Sequence, residues 1–162
     1  QVRIGDYIRI NTGEEGYVHD ITWRNTIIRA LSNNYVIVPN SKIASAIVTN
    51  YYLPVKEMSL LIEVGVSYDS DLEKVESVTI SAGREVMAKV AGAVKDSNPF
   101  IRYHTFGDSA IKFTVILQVM EFTDQYLIKH EFIKRLQEKY RENNIVIPFP
   151  VRNVILKNEA AK

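Results

Sequence analysis

Few residues in this chain have the types and spacing that chemistry requires. The three histidines, His19, His104 and His130, fall in three different segments. None has a serine, an aspartate or a second histidine at a spacing that builds a catalytic set. His104 alternates with Phe106 and is expected to face solvent. His130 is expected on the inner face of a helix, four residues after Tyr126 and three before Ile133, as a packed or hydrogen-bonded imidazole rather than a ligand or proton sensor. Asp69-Ser-Asp71-Leu-Glu73 resembles the start of a calcium loop, but the glycine and distal glutamate of such a loop are missing, so helix capping is the expectation. Trp23-Arg24 has the makings of an aromatic-plus-cation site for a nucleobase or a lipid headgroup. A structural role is preferred for it, with the indole filling a small barrel and Arg24 reaching a neighbouring carboxylate. No cysteine is present, which removes disulfides, thiolate nucleophiles and Cys-ligated metals together and is compatible with a reducing interior. No cofactor, no metal and no enzyme class is implied.

Composition bounds what these residues can belong to. With 46% hydrophobic and 24% charged residues over 162 positions, the chain reads as an ordinary globular protein of one or two domains. A net charge of +1 argues against a polyanion-binding surface, so no nucleic acid is expected as a partner. No run approaches the roughly 18 consecutive apolar residues of a membrane helix. The sequence opens at Gln1, without Met, and enters a strand almost at once, from which a fragment of a longer polypeptide is expected.

The elements that must position these residues begin with a compact β unit. Ile8–Ile10 is a short strand, followed by a turn over Asn11–Gly16 whose glycines permit a tight reversal. Tyr17–Trp23, Thr26–Arg29 and Tyr35–Val38 follow as strands, separated by Asn25 and by Asn33-Asn34. Pro39 closes the fourth strand, Asn40 or Ser41 caps one helical turn, and Ala46–Asn50 forms a fifth strand. Five short strands in about 50 residues predict a small Sm- or SH3-like β barrel over residues 1–53. A barrel that small buries only about 60% of its unfolded surface and needs neighbours.

After Tyr51-Tyr-Leu-Pro54 the periodicity changes. Met58, Leu60, Ile62, Val64 and Val66 alternate as a strand, and Leu72, Val75, Thr79, Ala82, Val86 and Val90 recur at helical spacing over about 71–94. A hairpin of Ile101–Phe106 and Ala110–Met120 turns around Gly107-Asp108, and a second helix covers about 124–143, with Tyr126, Ile133, Leu136 and Tyr140 inward. Its charged run from Lys129 to Glu142 reads as a solvated face with local ion pairs. The order predicts a ferredoxin-like α/β domain over 54–147 lacking its last strand. Residues 148–162 then hold a stiff Pro148-Phe149-Pro150 segment and a strand at Val151–Leu156. That strand either completes the sheet or swings away to pair with another chain.

At these residues a resemblance becomes specific. Ile4-Gly-Asp-Tyr7, Gly13-x-x-Gly-x-Val18, Ile21-x-Trp-Arg-x-Thr26, Val38-Pro-Asn-Ser-Lys-Ile43 and Asn50 are followed by Gly65-Val-Ser-Tyr-Asp-Ser-Asp71 and Ile145-x-Ile-Pro-Phe-Pro150. Together they resemble the small-conductance mechanosensitive channel family outside its membrane helices, in order and over nearly the whole chain.

The resemblance implies a vestibule on the cytoplasmic face of the cell membrane, assembled as a homo-oligomer, a heptamer in the full-length parent. There it would scaffold a ring and filter solutes released in osmotic downshock. Membrane contact is expected only through the pore helices that the family places before Gln1. Gly16, Trp23, Arg24, Pro39, Asn40 and Asn50 become turn, packing and junction residues. Pro148, Phe149, Pro150, Val151, Val154 and Leu156 become an oligomerisation segment whose strands meet on the symmetry axis. Two other readings stay open on the residues alone: an Sm-like RNA-binding ring and a ferredoxin-like small-molecule sensor.

Overall fold

A computed structural model describes residues 2–155. Its first half is a five-stranded antiparallel sheet of β1 (Tyr7–Ile10), β2 (Glu15–Ile21), β3 (Asn25–Arg29), β4 (Tyr35–Pro39) and β5 (Val48–Asn50), with the short helix α1 (Asn40–Ser45) between the last two. Strand order is β4-β3-β2-β1-β5. The expected barrel is corrected: β4 and β5 are the two edges and do not pair, so the sheet is open among the described residues. The reason is local. α1 separates the two strands in sequence, and β5 has only three residues, all opposite β1.

Alternation divides this sheet into two faces. Ile8, Ile10, Val18, Ile28 and Val38 form one buried cluster, against which Ile43 and Ala46 pack. Tyr7 points the other way and is wholly buried, in a second cluster with Tyr52 and Phe122.

The second half holds β6 (Met58–Val66), α2 (Leu72–Lys89), β7 (Phe100–Phe106), β8 (Ile111–Val119) and α3 (Asp124–Glu142). The sheet order is β6-β8-β7, and β6 pairs with β8 without a register break from Met58↔Val119 to Val66↔Ile111. Leu60, Ile62 and Val66 of β6 meet the inward residues of β8, Phe113, Val115 and Leu117, in the main core under both helices. Two sequence expectations for the helices change. α2 stops at Lys89, because Val90 turns to extended backbone, and the chain then reverses through Gly92 at φ +88°. On α3 the buried stripe is Ile128, Phe132, Leu136 and Tyr140, spaced by fours, whereas Tyr126 and Ile133 are about half exposed.

Gly83 sits inside α2 where a residue with a side chain would propagate the helix better. A Cβ there would stand 3.0 Å from Pro99 Cβ and 3.2 Å from Leu117 Cδ2, so glycine is what lets the helix approach the sheet. Between the helices, Thr79 Oγ1 and Tyr140 Oη share a buried 2.6 Å hydrogen bond, and Thr79 also donates to the Val75 carbonyl. Burial pushes the Tyr140 phenol up to about 12. At the rim, Glu85 accepts from Arg135 Nε at 2.6 Å and from Lys139 Nζ at 2.7 Å, tying α2 to α3. Those two bonds hold the Glu85 carboxyl at about 2, below its ordinary 4.5.

Two outcomes follow from this packing. Gly83→Ala destabilises the fold by about 1–2 kcal/mol in chemical denaturation, overpacking outweighing the gain in helix propensity; an unchanged midpoint would refute the close approach. A carboxyl whose folded pKa is depressed adds stability above its unfolded value and loses it as pH falls. Wild-type stability should therefore decline between about pH 4.5 and 2, and Glu85→Gln should flatten that part of the urea-midpoint profile.

Candidate functional site

The residues singled out from sequence gather at two ends of the molecule. At one end, β2 exits into a tight reversal. Thr22 N donates to Asn25 O at 2.8 Å, and Thr22 Oγ1 both donates to Asn25 O and accepts from Asn25 N at 2.9 Å. Asn40 braces the reversal from the end of the neighbouring strand β4. Its Nδ2 donates to Thr22 O at 2.9 Å, its Oδ1 accepts from buried Thr26 Oγ1 at 2.9 Å, and its backbone N–H donates to Arg24 O at 2.8 Å. The helical-cap role expected for Asn40 or Ser41 is thereby corrected. Pro39 occupies the N-cap position of α1 and no side chain caps it, because the Asn40 side chain is engaged by the hairpin.

Trp23 and Arg24 stand on this braced tip, and both expectations for them are corrected. Trp23 does not fill the sheet's core but is 86% exposed. Arg24 finds no carboxylate among the described residues; its guanidinium lies 5.0 Å from the indole centroid. The physical reason is their place in the sequence. The two residues span the reversal between paired positions Ile21 and Thr26, where side chains leave the sheet.

Gly16 and Asn50 both sit at backbone contacts. A Cβ on Gly16 would come within 2.3 Å of Arg29 O, so β2 and β3 can approach only through glycine. Asn50 Nδ2 donates to Asp6 Oδ2 at 2.7 Å and its Oδ1 accepts from Tyr52 N at 2.9 Å, fixing the connector to the start of β1.

At the other end the chain leaves α3 through Ile145, whose N–H donates to Tyr140 O at 2.9 Å, and Val146, whose carbonyl accepts from Ser67 N at 3.0 Å. Pro148 and Pro150 follow with Phe149 between them, 88% exposed. Val151 N donates to Ser109 Oγ at 3.1 Å, and Val151 and Val154 lie exposed. Residues 151–155 form no strand within this chain and do not complete the sheet. Leu156 lies outside the described residues.

Sequence reasoning missed the junction between the halves. Tyr7 stacks on Phe122 with centroids 4.5 Å apart, Tyr51 lies 4.2 Å from Phe122, and Tyr17 Oη shares a 3.1 Å hydrogen bond with Thr123 Oγ1. Tyr52 donates to Glu121, and Tyr7 donates to Glu15 at 2.8 Å. Burial, reinforced by those carboxylates, pushes both phenols well up, so they remain donors. The pair Tyr51-Tyr52, at the point where the sequence periodicity changes, was the available signal.

The histidines stay apart. His19 Nε2 lies 3.3 Å from Tyr35 Oη, and His104 faces Glu63 at 3.6 Å. His130 is corrected: it is mostly exposed beside Glu131, because it lies off the Ile128–Phe132–Leu136 stripe. Asp71 caps α2, accepting from Glu73 N and Lys74 N. Among the described residues no cluster of histidine and acidic side chains is arranged to hold a metal, and no helix is long and apolar enough to cross a membrane.

Two protein-family models match the chain: the mechanosensitive ion channel β-domain over residues 1–53, and the C-terminal region of the mechanosensitive ion channel MscS over residues 60–147. An MscS family protein of Archaeoglobus fulgidus is 30% identical over 98% of this chain, and mechanosensitive channel MscK of Escherichia coli is 32% identical over 98%. This chain spans 53% of the first relative's length and 14% of the second's. The crystal structure of Helicobacter pylori MscS in its closed state superposes with a TM-score of 0.80 at 26% identity, covering 98% of this chain and 60% of that one. With the C-terminal model alone covering more than half of its residues, the chain belongs to the MscS family of mechanosensitive ion channels.

Proposed function

We propose that this chain forms the wall of the vestibule on the cytoplasmic face of a mechanosensitive ion channel, as one subunit of a homo-oligomeric ring, a heptamer in the full-length parent. Its work is mechanical and electrostatic: it scaffolds the ring and filters ions and small solutes released in osmotic downshock, without bond-making chemistry. No residue is assigned a catalytic role.

Family membership, with the superposition on Helicobacter pylori MscS, carries this reading. It favours the channel over the RNA-binding ring and the small-molecule sensor. The surfaces left open support assembly. β6 is a nine-residue edge strand with one side unpaired among the described residues, and Leu61 on it is 62% exposed. A mostly apolar groove of about 480 Å³ runs beside it, lined by Ile62, Val64, Phe132, Ile133 and Leu136, with Glu63, Lys129 and Gln137 also on its wall. Long apolar edges left in water template pairing with other chains, and natural proteins cover them. The C-terminal segment is the second open surface. Two prolines bracket Phe149 and stiffen the chain there, and the valines that follow stay exposed although Val151 N reaches Ser109 Oγ. In the ring, these segments of neighbouring subunits pair.

Removing residues 151–162 should lower the oligomer mass measured by light scattering while leaving the thermal unfolding of the α/β half unchanged. An unchanged mass would refute the intersubunit role of the segment.

A further inference from the structure

The Trp23–Arg24 tip is unexplained by the fold. Trp23 is the chain's single tryptophan, and leaving so large an apolar ring in water forgoes one of the larger gains that burial offers any side chain. A mobile loop could fold such a ring back onto the protein. This one is held by the Thr22–Asn25 reversal and by three hydrogen bonds to Asn40, so the indole is displayed on a rigid support.

The surroundings have a definite chemistry. β1 is antiparallel to β2, with Tyr7 opposite Tyr17, so the turn over Arg3–Asp6 lies at the same end of the sheet as the exit of β2. That turn presents Ile4, 62% exposed, and the exit presents Ile21, 39% exposed. Neither Arg3 nor Arg24 has a carboxylate within ion-pair distance among the described residues. The acids nearby are turned to other donors: Asp6 accepts from Arg3 N and Asn50 Nδ2, and Asp20 from Ile21 N. The end therefore offers apolar side chains, an indole with its own N–H, and two uncompensated guanidinium groups.

We propose that this end of the β sheet docks on an anionic phospholipid surface, with the Trp23 indole in the headgroup region and Arg24 and Arg3 on phosphates. An indole suits the boundary between headgroup and acyl chain because its ring is apolar and its N–H is a donor. Arg24 argues for phospholipid over a protein groove. Its guanidinium rides on the ring, so any partner that buries Trp23 must also accommodate that cation, and a phosphate-rich layer does so directly. The docking rests on the channel reading only in that it needs a bilayer nearby.

A single tryptophan makes the test direct. The chain is mixed with vesicles of phosphatidylcholine, and with vesicles of phosphatidylcholine plus phosphatidylglycerol, and its emission is followed. Docking predicts a blue shift and reduced acrylamide quenching with the anionic vesicles, and quenching when brominated phosphatidylcholine is included. Trp23→Ala should abolish co-sedimentation with the vesicles. Arg24→Gln should weaken it about fivefold, with less dependence on salt. Unchanged emission and acrylamide access with vesicles would overturn the proposal. So would emission already blue-shifted and concentration-dependent without lipid, which assigns the tip to a second copy. Quenching by a single-stranded oligonucleotide but not by brominated lipid would overturn it in favour of a nucleobase. Failure on vesicles while truncation of residues 151–162 still lowers the oligomer mass would remove the docking and leave the channel reading standing.

Discussion

The junction between the two sheets is the constraint on which the rest depends. The β half has a small core of five buried aliphatic residues on one face, and its other face would be bare without the second half. Tyr7 and Tyr17 close that face against Phe122 and Thr123, and Tyr52 reaches Glu121. The segment from Phe122 to Asp124 is also where β8 gives way to α3, so one short stretch fixes both the helix and the upper sheet. Gly92 packs beneath it: a Cβ there would fall 2.4 Å from Asp124 Cγ, which ties the exit of α2 to the same point. A buried tyrosine that donates to a carboxylate is a directional contact, unlike an aliphatic one, so the cluster sets an angle as well as an attraction.

How much of this was legible in the sequence depended on the range of the interaction. Alternation in Met58–Val66 and in Ile111–Val119 is written in neighbouring residues, and both strands form where the period places them. The cap on α2 is equally local, since Asp71 bonds residues two and three ahead of it. Closure of the barrel was not local. It required β5 to meet β4 across α1, and nothing in either strand's own pattern says whether it does. The junction cluster was hidden for the same reason, as Tyr17 and Thr123 lie 106 residues apart.

The errors at single residues have a common cause. Hydrophobicity predicted that Trp23 is inside, but position in a reversal overrides size, because a side chain between two paired positions leaves the sheet. On α3, Leu136 and Tyr140 are inward as expected, but taking Tyr126 and Ile133 as inward shifted the first half of the stripe and carried His130 inside with it. The stripe that is buried runs through Ile128 and Phe132, which leaves His130 and Ile133 on its margins. For the candidate site, sequence singled out the tip and the C-terminal segment but gave the tip the wrong direction.

That direction reverses what the packing implies about the molecule. Its strongest contacts lie at the centre, in the junction and in the core between β8 and the two helices, and its unsatisfied surfaces lie at the periphery. Asn40 shows that this is not looseness, since three of its hydrogen bonds hold Trp23 and Arg24 away from the core. The Pro148-Phe149-Pro150 segment likewise gives up hydrogen-bonding capacity to keep the chain extended, with Phe149 in solvent. Rigid backbone spent on displaying apolar groups makes sense only where those groups meet something other than their own chain.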